Sequence, residues 1–156
     1  MSYRVEHYGA MILDEAPKIA FARALERAVT PDSVVVDIGT GTGVMAFLAC
    51  RFGARRVDAI EPDSAIQLAR EIAAANALGE RIVFHEAESM KVELAERADV
   101  IVSDLRGSLP LFDGHIPTII DARERLLAPG GVLIARKDRL RLAAVDDEIA
   151  FRRLVG

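Results

Sequence analysis

Cysteine is almost absent from this sequence: Cys50 is the single one in 156 residues, and tryptophan is missing altogether. A lone thiol cannot build an internal disulfide framework, which agrees with a reducing compartment. Cys50 lies in the apolar stretch AFLACRF with no histidine or base nearby in sequence, so it reads as a buried structural thiol rather than a nucleophile. Long apolar runs are lacking too. Val34 to Val36 and Gly130 to Ala135 fall far short of the roughly 20 residues that cross a bilayer, so no membrane span is expected. The N-terminus MSYRVEHYGA has no basic segment followed by an apolar one, hence no secretory signal, and a cytoplasmic location is expected. Nor is there an excess of positive charge. A formal net charge of −4 gives no footprint for nucleic acid, and the arginines of ARRV and RERLL read as solvated faces. His85 and His115 read as isolated, and no Cys/His/Asp spacing makes a metal site.

What is present is a soluble globular balance, 51% hydrophobic and 28% charged, on a chain of about one domain's length. Between Asp14 and Val29, Ala16, Ile19, Ala20, Ala24 and Ala28 recur at helical spacing, with Arg23, Glu26 and Arg27 as the outer face. Thr30 to Ser33 is turn chemistry, and Val34 to Ile38 is an apolar, β-branched run of the buried parallel-strand type. The alternation continues with a helix over Thr42 to Phe52 and a strand over Arg55 to Glu61. A helix from Pro62-Asp63-Ser64 to about Leu78 follows, closed by Gly79. Strands over Arg81 to His85 and Ala98 to Ser103, a helix over Ile116 to Leu127 and a strand over Val132 to Arg136 complete it. Alternating strands and helices predict an α/β fold with a mostly parallel sheet, helices on both faces and a ligand crevice beyond the strand carboxyl ends. From Lys137 the pattern is ambiguous: LRLAAV could pair as a strand, and DDEIAFRRLVG could be helix or strand.

The chemistry concentrates at VVVDIGTGTG. Asp37 ends a strand, and Gly39, Gly41 and Gly43 let the backbone turn tightly against a ligand. Dinucleotide binding needs G-x-G-x-x-G, whereas the third glycine here falls at Gly43, and the Lys-Ser/Thr ending of a triphosphate loop is missing. A nicotinamide oxidoreductase therefore fits less well. Glu61 closes the second strand, where a carboxylate meets the two hydroxyls of a ribose if an adenosine spans the first two strand ends.

These residues resemble the class I S-adenosylmethionine (SAM)-dependent methyltransferases, whose first motif is D-x-G-x-G-x-G and whose second strand ends in an acidic residue. The resemblance implies a Rossmann-like sheet with SAM as cofactor. In it Gly39, Gly41 and Gly43 form the SAM turn, with Gly39 and Gly41 against the amino acid portion. Asp37 orders that turn, Glu61 holds the ribose, and Glu88 and Ser89 flank the adenine. More narrowly, HYGAMILDE, VVVDIGTGTG, AIEPD, VELAERADVIVSDLRG and LLAPGGVLI resemble the protein arginine methyltransferases and their bacterial small-molecule relatives.

That resemblance implies methyl transfer to a nitrogen or oxygen acceptor, a protein arginine or a small molecule, and a homodimer among the partners. The family's loop after the fourth strand carries two glutamates that clamp a guanidinium. Here SDLRGSLPLFDGH offers Asp104 and Asp113, one methylene shorter, as the catalytic pair, and Asp113 reads equally as a turn residue of FDG. Where the family has an arginine for the SAM carboxylate this chain has Pro17, with Lys18 beside it as a substitute cation or an exposed helix lysine. Tyr3, His7 and Tyr8 fall where the family closes over the cofactor, or form N-terminal packing. One SAM-binding domain over 1–156 is expected, with 1–30 as lid and helix, 31–136 as core, and 137–156 leading toward the family's β-barrel, before which the chain is truncated. The alternative is an isolated SAM-binding lobe without activity.

Overall fold

The computed structural model describes Gly9 and residues 12–106 and 114–142. Helix α1 (Glu15–Ala28) starts where Asp14 caps it, the carboxylate accepting the Ala16 N–H at 3.2 Å. Its period follows the sequence but its phase differs. Phe21 and Leu25, four residues apart on one helical face, are the buried residues, and Ile19 lies off that face and is exposed. Strand β1 (Val34–Ile38) is buried throughout and leads through the glycine turn into α2 (Val44–Arg51). Then come β2 (Arg56–Ile60), α3 (Ala65–Ala75) and β3 (Ile82–His85). Helix α3 ends earlier than Leu78: Ala77 takes the left-handed conformation at φ +54° and the Leu78 N–H turns back to the Ala73 carbonyl, so Gly79 is not its stop. A short 3-10 turn, Ser89–Lys91, leads to β4 (Ala98–Ser103), α4 (His115–Asp121) with a π-helical turn over Ala122–Leu126, and β5 (Leu127–Ile134).

All pairings among these strands are parallel, in the order β3-β2-β1-β4-β5. The mostly parallel, Rossmann-like sheet read from the sequence is thus the observed one. Strand β5 differs in its bounds: Leu127 already pairs with Ala98, pairing shifts before Val132 meets Val100, and the strand ends at Ile134. Gly130, at φ +81°, lies in the stretch between the two pairings.

Alternation along β1 sorts two cores. Val35 joins Phe21, Leu25, Ala46 and Ala49 on the α1/α2 face, while Val34, Val36 and Ile38 join Ile101, Ala122 and Leu126 on the other. Asp37 is in phase with Val35, so its carboxylate faces α2. Cys50 is buried in the first core, as expected, and desolvation pushes its thiol pKa up. No helix among the described residues is long and apolar enough to cross a membrane.

Two arginine groups read as solvated are structural instead. Arg56 makes a bidentate pair with the buried Asp58 at 2.9 and 2.8 Å, two residues along one strand face, and His85 Nε2 lies 2.8 Å from the same carboxylate. Arg125 grips Asp121 at 3.1 and 2.8 Å and donates to the Ser89 carbonyl at 2.7 Å and to the Val92 carbonyl. Of the same segments, Arg55 and Arg123 do face solvent. Arg125→Met should therefore lower unfolding stability by about 1–3 kcal/mol, several degrees in Tm, because two carbonyls and a carboxylate lose their donor. Arg123→Met, at the exposed neighbour, should change it by less than about 0.5 kcal/mol in the same urea titration.

Candidate active site

The sheet order reverses between β1 and β4, where the chain returns from β3 to the other side of β1. There the register sets Ile38 beside both Ile60 and Ser103, so the segments opening at Gly39, Glu61 and Asp104 leave the sheet side by side. Residues distant in sequence converge because parallel strands end together.

The turn after β1 is built on Asp37. Its Oδ2 accepts the Thr40 hydroxyl at 2.6 Å and the Ala46 N–H at 3.0 Å, so one buried carboxylate ties the turn to the first turn of α2. Burial raises the Asp37 pKa to about 7, against the lowering effect of those two bonds and with a further rise from the charge of Glu61. Gly39 (φ +76°) and Gly43 (φ +91°) occupy backbone conformations that L side chains resist. A Cβ on Gly39 would also meet the tip of the Leu105 side chain, and one on Gly43 would stand 2.5 Å from the Phe47 ring, so either substitution would make a neighbouring side chain shift.

Glu61 is buried and bridges two segments. Oε2 accepts the Gly41 N–H and Oε1 the Asp63 N–H, both at 3.0 Å. Burial raises its pKa while the two backbone donors lower it. Asp37, Gly39, Gly41, Gly43 and Glu61 thus form one connected unit.

Farther along the strand ends, Ser89 is buried in the 3-10 turn and its carbonyl is held by Arg125, whereas Glu88 points outward to Lys91 at 2.9 Å. Lys18 bonds the Ile12 carbonyl at 3.1 Å on the surface of α1. Tyr8 and Asp113 lie outside the described residues, as do Tyr3, His7 and the tail from residue 143.

Asp104 follows β4 directly and is half-exposed. Its partner is Arg106, 3.2 Å from Asp104 Oδ1 and 3.1 Å from Asp138 Oδ1, with the guanidinium carbon 5.6 Å from the centroid of the Phe21 ring. His115 is not isolated: Nε2 lies 3.9 Å from Asp138 Oδ2. Sequence reasoning missed Arg106 and Asp138, although Arg106 stands two residues from Asp104 in a loop already singled out.

Comparison with known proteins agrees with this fold. The family model described as ribosomal protein L11 methyltransferase (PrmA) matches residues 20–136. Protein arginine N-methyltransferase 1 of Dictyostelium discoideum is 30% identical over 91% of this chain and 43% of its own length, so the chain spans less than half of that relative. Among solved structures, Arabidopsis thaliana protein arginine methyltransferase 10, described in a uniquely open conformation, superposes with a TM-score of 0.79 at 30% identity, covering 84% of this chain and 38% of that one. The Trypanosoma brucei PRMT1 enzyme-prozyme heterotetrameric complex with AdoHcy gives 0.78 at 26% identity, covering 83% of this chain and 42% of the other. This chain belongs to the PrmA family of methyltransferases and is homologous, in sequence and in structure, to the SAM-binding Rossmann domain of the protein arginine methyltransferases.

Proposed function

We propose that the chain binds SAM across the carboxyl ends of β1 and β2 and directs its methyl group to a nitrogen or oxygen nucleophile held at Asp104, on a protein arginine or a small molecule. The observation that carries this reading is the convergence of the Gly39–Gly43 turn, Glu61 and Asp104 at the point where the strand order reverses. Homology to arginine methyltransferases, one of them in complex with AdoHcy, supports the cofactor class.

The residues fit that cofactor. A carboxylate offers about four lone-pair positions. Glu61 uses one on each oxygen for Gly41 and Asp63, leaving acceptor capacity on both for a vicinal diol. When bound, SAM supplies a methyl group on a sulfonium, an electrophile that needs no nucleophilic side chain from the protein. The work left to the chain is orientation. Asp37 and Thr40 fix the turn, Glu61 fixes the ribose, and the half-exposed Asp104 orients the acceptor by accepting its N–H or O–H. The proton that the acceptor sheds leaves to solvent at that open carboxylate. The homodimer implied by the family resemblance belongs to the same proposal, and sedimentation velocity reads it directly.

A second reading, SAM binding without transfer, is favoured by one observation: Arg106 already sits on Asp104. Calorimetry with SAM and with S-adenosylhomocysteine, followed by labelled SAM with a panel of arginine peptides, amines and hydroxyl acceptors, separates the readings. Binding with transfer supports the enzyme. Binding with no transfer to any acceptor supports the second reading, and no binding of either ligand overturns both.

A further inference from the structure

We infer that Arg106 is the chain's own occupant of its acceptor clamp and acts as a specificity-determining residue that bars guanidinium acceptors. This rests on the proposed placement of the acceptor at Asp104 and narrows that proposal to acceptors other than a guanidinium. Two carboxylates and an aromatic face are a complete recognition set for a guanidinium, which presents five N–H donors in a planar fork and stacks on rings. The chain assembles that set from three distant places: Asp104 after β4, Asp138 after β5, and Phe21 on α1. One guanidinium, that of Arg106, fills it, with Nη2 on Asp104, Nη1 on Asp138 and the guanidinium carbon over Phe21. The Arg106 side chain is 19% exposed against 53% for Asp104, so the cation is seated inward of the acid it neutralises.

The surroundings point to a site rather than a surface ion pair. His115 Nδ1, on the ring whose Nε2 lies 3.9 Å from Asp138 Oδ2, is a buried side-chain polar atom without a hydrogen-bond partner among the described residues. Buried polar atoms of that kind are rare in folded proteins. The seat thus offers two carboxylates and a ring face and is occupied by a charge of the same sign as an arginine acceptor. An incoming guanidinium must displace Arg106 from Asp104 or approach a carboxylate that is already neutralised, and both weaken it. An uncharged nucleophile meets no such competition.

The test uses the full chain saturated with S-adenosylhomocysteine and, as probe, N-acetyl-arginine methylamide titrated by calorimetry, with the acetyl-citrulline analogue as the uncharged control. Arg106→Met should bind the arginine probe at least tenfold more tightly than the parent, with no comparable gain for the citrulline probe. Asp104→Asn combined with Arg106→Met should lose that gain. A purely structural role for Arg106 would move neither ratio. Equal affinity of parent and Arg106→Met for the arginine probe, or a gain that persists in the double variant, overturns the inference. Should Arg106→Met not fold, Arg106→Lys carries the test. It keeps the stem and a charge but lacks the fork, and an arginine-probe affinity above that of the parent supports the inference while an equal one overturns it. Binding of S-adenosylhomocysteine in the same samples separates the two failures. If it is intact while the gain is absent, only the gate falls; if the parent does not bind it, the proposed function falls first.

Discussion

Glu61→Ala is expected to weaken binding of S-adenosylhomocysteine by roughly a hundredfold or more while the chain still folds. In the proposed mode the carboxylate accepts two ribose hydroxyls, and hydrogen bonds to a charged acceptor are each worth about 1.5–3 kcal/mol. Each 1.4 kcal/mol is a factor of about ten in affinity. The loss is compounded locally, because Glu61 also accepts the Gly41 and Asp63 N–H groups and so holds the glycine turn against the end of β2. Far-UV circular dichroism should stay near that of the parent, since the β1–β2 pairing extends from Val34 to Ile38 without Glu61. Glu88→Gln is the matched control: its side chain is exposed and pairs with Lys91, and it should cost less than tenfold. If the two variants lose affinity equally, or if Glu61→Ala binds as the parent does, the ribose assignment fails.

How far this site could be read in advance depended on how local its causes are. The turn after β1 was legible because Asp37, three alternating glycines and a flanking apolar strand are all imposed by the backbone path within ten residues. Glu61 was legible because the end of a parallel strand lies at a known place relative to its neighbour. The link from Asp104 to Asp138 was not. Spacing and family resemblance point to Asp113, nine residues on in the same loop and outside the described residues, while among those described Asp104 is joined to Asp138 through Arg106. Asp138 lies beyond β5, and its approach depends on where that strand ends, which is Ile134 rather than Arg136. The Arg56–Asp58 pair was the opposite case. Residues i and i+2 of a strand share a face, so period two places Arg56 beside Asp58 even though the basic cluster around it suggests a solvated face.

The same burial that makes Asp37 a rigid anchor should make the fold less stable as pH rises toward neutrality. Burial lifts its pKa from the ordinary carboxylate range to about 7 in the folded chain. Between those values the folded state holds a proton that the unfolded state has released, so the stability tied to that proton is complete at acid pH and is lost as pH climbs through about 7. The limiting slope for one such group is about 1.4 kcal/mol per pH unit. Glu61 adds to it in the same direction, because its pKa is also raised by burial. Asp37→Asn removes the titration but keeps an oxygen able to accept the Thr40 hydroxyl and the Ala46 N–H, as Oδ2 does now. Urea unfolding of parent and variant at a series of pH values from 5 to 8 reads the difference directly, since every other titrating group cancels to first order. The parent should lose stability across this range and Asp37→Asn should lose measurably less, the remaining slope belonging to Glu61 and the other carboxyls. Parallel curves would mean that the carboxylate is charged throughout. The two hydrogen bonds at 2.6 and 3.0 Å would then outweigh the burial that opposes them.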